Sequence, residues 1–376
     1  MQHKKRRYDI DAWRVIAILA VYLHHIGMPF NGDDFHIMNA SSSKVLDDIM
    51  VLFEQFRLPL LFLISGVGTV YAFSKRTWVQ FTLERFKRLW VPLIFGVLLI
   101  VPPQTYFEQI DQYTSYFDFY SNLFQNLEVN HLWFIENLFY ISVVCIPLIL
   151  WLRSTKSTNF RDLILKLGSK NYGLLLGVLP LLIIRIVGKA YYPEDSKDIL
   201  NLSSTFFYGY FFVSGILIAS VPKLWEALKH YRKFNFRIAL CSLLMFYAYY
   251  FLPEEWASNS WSLQTRWNIW YGLSSLLSWT VLISLLGYGQ IWFNKQSKYL
   301  RKANEAIYPF YILHQTIIVG LAYYIVQWDL SIGLKMLALL LSSLPLILMI
   351  YRLLIYPFKT TRLVMGMKAK KTPKHE

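Results

Sequence analysis

Charge is scarce in this chain. Only 16% of its 376 residues are Asp, Glu, Lys or Arg, where a soluble domain carries about 25%. A water-soluble globule of this size needs more polar surface than that, so an ordinary soluble enzyme is not expected. Cysteine is nearly absent. Cys145 and Cys241 lie in apolar runs, belong to no disulfide framework or thiol metal motif, and read as inert core residues. No internal repeat, low-complexity segment or long polar linker interrupts the chain, which argues against an array or a string of modules. The first apolar run lacks a small-residue cleavage site and carries Arg14, His24 and His25, so a cleaved signal peptide is not expected.

Apolar residues are abundant instead. They make up 55% of the chain, aromatics make up 18%, and the mean hydropathy is +0.36. They gather in runs of roughly 18 or more, the length a membrane-spanning helix needs. Ten runs stand out, near 11–30, 48–73, 89–106, 132–152, 171–188, 203–220, 237–253, 267–287, 306–326 and 334–356. The expectation is an all-α integral membrane bundle of about ten helices, a single membrane domain over 1–376 with basic ends at 1–10 and 357–376. The runs at 89–106 and 237–253 are the shortest, cut by Pro102–Pro103 and by a polar flank.

A net charge of +15 raises the question of nucleic acid, and its distribution answers it. Segments 1–10, 74–88, 153–170, 221–237, 288–305 and 357–376 hold 29 of the 38 Lys and Arg. The intervening loops hold four: Lys44, Lys189, Lys197 and Arg266. Basic and non-basic loops alternate throughout, as the positive-inside rule predicts for ten spans with both termini in the cytoplasm. The charge is thus accounted for by membrane topology, with the lipid bilayer rather than nucleic acid as partner. The non-basic loop near 107–130 carries Glu108, Asp111, Asp118 and Glu128 among many Tyr and Phe, which suits either an interfacial belt or a surface for a sugar.

Ionisable groups inside apolar spans are costly and mark candidate sites. The first span reads Asp11-Ala-Trp-Arg14 and, eleven residues on, His25. Eleven steps of about 100° return to within about 20° of the start, so Arg14 and His25 share a helix face, about 16 Å apart along the axis. Asp11 lies one turn from Arg14 and can pair with it. His24 points about 100° away from its neighbour and leaves that register. Arg14 also fits a snorkelling anchor, and His25 a structural histidine. In the second span Glu54 and Arg57 have the spacing of an ion pair, and Arg57 alternatively suits an acyl carbonyl or carboxylate. Pro59 frees a backbone carbonyl, and Ser65-Gly66 permits a close helix approach. Arg85-Phe-Lys87-Arg88, in the basic loop before the third span, fits a phosphate clamp as well as a positive-inside anchor. His131, Trp133 and Glu136 open the fourth span, where Glu136 is placed to orient His25. Tyr308 and His314 fall in the ninth.

Taken together these residues resemble the membrane acyltransferase-3 family. The resemblance rests on Arg14 through His25, Phe56-Arg57 with Phe62-Leu-Ile-Ser65-Gly66, Arg85-Phe-Lys-Arg88, His131-Leu-Trp-Phe134 and Tyr311-Ile-Leu-His314, in order along the chain. The sequence looks most like the branch that succinylates periplasmic glucans, through Tyr-Asp-Ile-Asp11-Ala-Trp-Arg14 and Asn130-His-Leu-Trp-Phe. It departs from that branch at Leu58-Pro59-Leu60 and Tyr308-Pro309-Phe310. The resemblance implies transfer of an acetyl or succinyl group from cytoplasmic acyl-CoA to a hydroxyl of an extracytoplasmic oligosaccharide or polysaccharide, in the inner membrane. His25, Arg14 and Glu136 would then be catalytic, with His25 as base. Arg57, Asp11, His131, Trp133, Tyr308 and His314 would bind substrate, and Arg85, Lys87 and Arg88 would hold the acyl-CoA. No permanently bound cofactor or metal is expected, and a homo-oligomer is compatible with the sequence. Two rival readings stay open: a secondary transporter of a small polar or anionic solute, and a non-catalytic membrane partner of a glycan synthase.

Overall fold

The computed structural model describes residues 6–368. The outer parts of the two basic ends, 1–5 and 369–376, lie outside the described residues. Among the described residues every regular element is helical. Eight continuous helices are long and apolar enough to cross a membrane: α1 (Tyr8–Asn31), α2 (Lys44–Phe73), α3 (Trp78–Glu108), α5 (Gly173–Tyr191), α6 (Leu202–Ser220), α8 (Leu263–Trp292), α9 (Lys298–Ile325) and α10 (Ile332–Ile355). Two bent pairs raise the number to as many as ten, if each is a single span: α4 (Asn130–Val144 and Ile146–Arg153, bent by 44°) and α7 (Arg232–Tyr250 and Glu254–Ser260, bent by 91°). Each corresponds to one apolar run of the sequence.

Proline explains most departures from straight helix. Pro59 has no N–H, so the Gln55 carbonyl loses its helical donor and α2 breaks at Gln55–Phe56. The Ser278 hydroxyl donates to that carbonyl instead. In α3 two residues skip back five places: Val91 N–H bonds to Phe86 O ahead of Pro92, and Val101 N–H to Gly96 O, at 2.8 Å, ahead of the Pro102–Pro103 pair. These wide turns let the helix continue past all three prolines. As a result α3 is much longer than the run 89–106, and Arg85 to Arg88 lie within the helix rather than in a loop. Pro147 sits at the start of the second half of α4 and Pro253 at the elbow of α7.

Packing sorts the chain into two compact units. The first comprises the chain up to Ala17, Glu54–Trp78 and Tyr140–Ser297. Here α2 and α6 pack most extensively. A Cβ on Gly66 would lie 2.0 Å from the Phe212 carbonyl oxygen, and one on Gly215 2.0 Å from that of Leu63. Only glycine permits this approach, which Ser65-Gly66 predicts from sequence. Buried indoles tie the unit together by donating to carbonyls, Trp13 to Leu285 at 2.9 Å and Trp279 to Leu174 at 2.7 Å. Of the two cysteines, Cys145 is buried as expected but Cys241 is exposed. It lies on a face of α7 that the bundle leaves open, and an apolar run cannot by itself distinguish a core-facing from an outward-facing position.

The second unit comprises Ile18–Phe53, Val79–Phe139 and the chain from Lys298 onward. Its core is α9, packed against α3 and α10. Leu132, Ile135, Ile312, Ile318 and Val319 are wholly buried there. The aromatic loop after α3 builds a small core of its own. Phe119 is fully buried among Tyr106, Tyr113 and Tyr116, while Phe117 and Phe124 stay exposed.

Candidate active site

The histidines converge in the second unit. His25 Nδ1 lies 2.7 Å from His314 Nε2, and the two rings stack with centroids 4.9 Å apart. The other nitrogen of His314, Nδ1, lies 2.5 Å from the Tyr311 carbonyl. A carbonyl only accepts, so His314 Nδ1 carries the proton. In a neutral His314, Nε2 is then an acceptor, and His25 Nδ1 must donate to it. A neutral His25 therefore keeps its lone pair on Nε2. The arrangement sets a tautomer, which is what a general base requires of its orienting partner. His314 is the partner at His25 Nδ1, and Glu136, expected in an orienting role, is half-buried near the start of α4.

The same donor logic runs through the neighbouring residues. His131 Nε2 donates to the Ile312 carbonyl at 3.1 Å, which leaves Nδ1 to accept from the Gln104 amide at 3.3 Å. Gln104 also donates to Thr316 at 2.6 Å and accepts from Gln315 at 3.1 Å. Gln315 donates to Asn130 Oδ1 at 2.8 Å, and the Asn130 amide donates to His36 Nε2 at 2.9 Å. His36 in turn donates from Nδ1 to Glu108. The Tyr311 hydroxyl donates to the His131 carbonyl, which locks α9 to the start of α4. Asn130 adopts φ 46°, a left-handed conformation that asparagine tolerates better than most residues. A continuous polar cluster thus runs between the helices of this unit, with His131 and His314 both buried.

Sequence reasoning found His25, His131 and His314 but not their pairing, and it missed His36, Gln104, Glu108 and Gln315 as a group. His36 sits in the irregular link between α1 and α2, where no periodicity signals a facing direction. Trp133 is half-buried at the start of α4. Tyr308 does not join His314. It lies six residues earlier on α9, about 9 Å along the axis. It sits in the electrostatic field of Arg88 and Arg85, and its buried hydroxyl has no hydrogen-bond partner. Arg85 stacks over Phe81 at 5.0 Å, Arg88 donates to the Gly366 carbonyl at 3.2 Å, and Lys87 is exposed. Along α9, therefore, Tyr308 faces the basic start of α3, and His314 faces the other histidines.

The remaining candidates belong to the first unit. Asp11 pairs with Arg14 at 3.3 Å, as its spacing predicts, and also with Arg6 at 2.7 Å. Arg57 is 7% exposed, and its Nε and Nη1 have no hydrogen-bond partner. Glu54, one turn away, contributes an opposing charge.

With the geometry in view, comparison with known proteins is informative. Residues 7–352 match the family described as "Acyltransferase domain". Curated relatives include glucans biosynthesis protein C of Escherichia coli strains K12, SMS-3-5 and O6:K15:H31 (strain 536). Each is 25% identical over 275 residues, covering 70% of this chain and 70% of the relative. No solved structure matches.

Proposed function

The chain belongs to this acyltransferase family and is a multi-pass membrane acyltransferase; from that premise we propose that it moves an acetyl or succinyl group from cytoplasmic acyl-CoA to a hydroxyl of an extracytoplasmic glycan, with His25 as the base. The relatives' name, glucans biosynthesis protein C, favours a glucan as the acceptor. The alternation of basic loops supports an inner-membrane orientation with both termini in the cytoplasm.

One observation carries the reading: the hydrogen bond from His25 to His314, whose far nitrogen is fixed by the Tyr311 carbonyl. On this reading the acceptor hydroxyl gives its proton to His25 Nε2 as its oxygen attacks the thioester carbonyl. The carbon–sulfur bond then breaks, and the imidazolium returns the proton to the departing thiolate. Arg85, Lys87 and Arg88 take the phosphates of the donor beside Tyr308. The two-turn stretch of α9 from Tyr308 to His314 is short enough for a pantetheine arm to follow. The roles of Arg14 and Glu136 as catalytic groups, and of Asp11, Arg57, His131 and Trp133 at substrate, remain part of the proposal.

The test is acyl transfer from labelled acyl-CoA to glucan by the purified protein in nanodiscs. His25→Ala is expected to lose about 10²- to 10⁴-fold in transfer, the usual worth of a general base. Thermal stabilisation by acyl-CoA should persist in that variant. Full transfer by His25→Ala would sink the mechanism. Mass spectrometry of envelope glycans from a deletion strain should show one missing acyl mass, which identifies the group.

A further inference from the structure

A second concentration of charge lies wholly within the first unit, around Arg57. Arg57 on α2 is buried, with Nε and Nη1 lacking partners. Arg185 on α5 lies flat against two rings, 4.5 Å over Phe207 and 5.2 Å over Tyr271, and its buried Nε also lacks a partner. Lys197, in the link between α5 and α6, acts electrostatically on Arg57 while keeping contact with solvent. Tyr208 of α6 feels both arginines and stacks on Phe62 at 4.9 Å. Two carboxylates face this group, Glu54 and Asp195. Lys189 donates to Asp195 at 3.4 Å and to the Glu194 carbonyl at 2.8 Å, so its charge is spent on holding the link.

Arg57 and Lys197 repel one another, and buried guanidinium donors without acceptors, such as those of Arg57 and Arg185, are costly. Both penalties disappear if an anion enters. Nothing in the unit's packing requires three cations here, because α2 and α6 are held by their glycine contact. The aromatic walls add a second constraint. A bare phosphate gains nothing from Phe207 or Tyr271, whereas the carbon skeleton behind a carboxylate packs against such faces.

We propose that Arg57, Arg185 and Lys197 form a carboxylate-binding chamber in the first unit, open on the side of the α5–α6 link. Its ligand is the free carboxylate of a dicarboxylic acyl group or of an acidic sugar. The proposal concerns binding alone and stands or falls apart from the His25 chemistry.

Thermal denaturation of the whole protein in nanodiscs tests it, with succinate, glucuronate, glucose or inorganic phosphate added at matched ionic strength. Succinate or glucuronate is expected to raise the midpoint by a few degrees, and glucose and phosphate not at all. Stabilisation by succinate alone assigns the acyl group as the source, and stabilisation by glucuronate alone assigns the sugar. Arg57→Gln, Arg185→Gln and Lys197→Gln should each remove the shift. The last two lie at half-buried and exposed positions, so they keep the test valid if Arg57→Gln fails to fold. No shift beyond sodium chloride, an equal shift with phosphate, or an undiminished shift in Arg185→Gln together with Lys197→Gln would overturn the chamber.

Discussion

At His25 the decisive atom is Nδ1, because whatever accepts its proton determines where the lone pair resides. His314 accepts it, and the Tyr311 carbonyl keeps His314 in the accepting tautomer. Removing that acceptor takes away the bond that fixes the tautomer of His25 at Nδ1. His314→Ala should therefore lower kcat about 100-fold, the scale of a small misplacement of a reacting group. It should also shift the pH profile of kcat, whereas a purely structural loss would lower the yield of folded protein and leave the profile in place. His314→Gln keeps an oxygen acceptor and should restore part of the rate. Unchanged kcat and pH profile in His314→Ala would remove His314 from the mechanism. A different titration is expected at Lys197. Although the residue as a whole is exposed, desolvation of its charged end chiefly, and then the charge of Arg57, pushes its pKa down, while Asp195 and Glu54 push it up by less. The folded protein thus releases this proton at a lower pH than the unfolded chain does. Stability should rise with pH across that interval, since the unfolded state holds more protons there. Carboxylate binding should weaken over the same interval as the charge disappears. Both trends should vanish in Lys197→Gln, as a pH series of denaturation midpoints with and without succinate will show. Of these groups the sequence reveals His25 and His314 through their cost in an apolar span. It does not reveal their pairing, because the partners are 289 positions apart.

Among the elements, hydropathy marks ten segments and the structure supplies a helix or a bent pair for each. Their lengths are less legible. Pro92 and the Pro102–Pro103 pair disfavour helix on propensity alone, yet α3 runs through them by making a five-residue bond just ahead of Pro92 and another just ahead of Pro102. That continuity is what brings Arg85 and Arg88 onto the same helix as Gln104 and Glu108. The elbow of α7 is more legible, since Pro253 and a polar flank already shorten its run. The close packing of α2 on α6 gives a sharp prediction. Gly66→Ala places a methyl group 2.0 Å from a backbone oxygen that cannot step aside. It should cost about 1–3 kcal/mol or more, as overpacked contacts do. Gly209→Ala on the same α6 meets nothing within 4 Å and should leave the denaturation midpoint unchanged or slightly raised. Equal midpoints for the two variants would mean that this helix pair is not a stabilising contact.

For the molecule as a whole, membrane topology turns on the two bent pairs. Loop charge makes the stronger argument. If α4 did not cross, the acidic loop after α3 and the basic segment 153–170 would share one side of the membrane, and the alternation of basic and non-basic loops would fail there. If α7 did not cross, the basic segment 221–237 would share a side with Glu254 and Glu255. Parity turns this into a measurement. Lys87 lies near the beginning of α3 and Lys197 just after α5, both exposed. With α4 as a span, three crossings separate them and they face opposite compartments. With α4 folded back, two crossings separate them and they face the same one. Lys87→Cys and Lys197→Cys, in a background where the exposed Cys241 is replaced by Ser, should therefore react with an impermeant maleimide from opposite sides of intact vesicles. Lys197→Cys should be labelled from the outside, and Lys87→Cys only after the membrane is opened. Labelling of both from one side would reduce the bundle to an arrangement in which the donor's phosphate clamp and the mouth of the carboxylate chamber open to the same compartment. A transfer from cytoplasmic acyl-CoA to an extracytoplasmic glycan would then lose its separation of donor from acceptor.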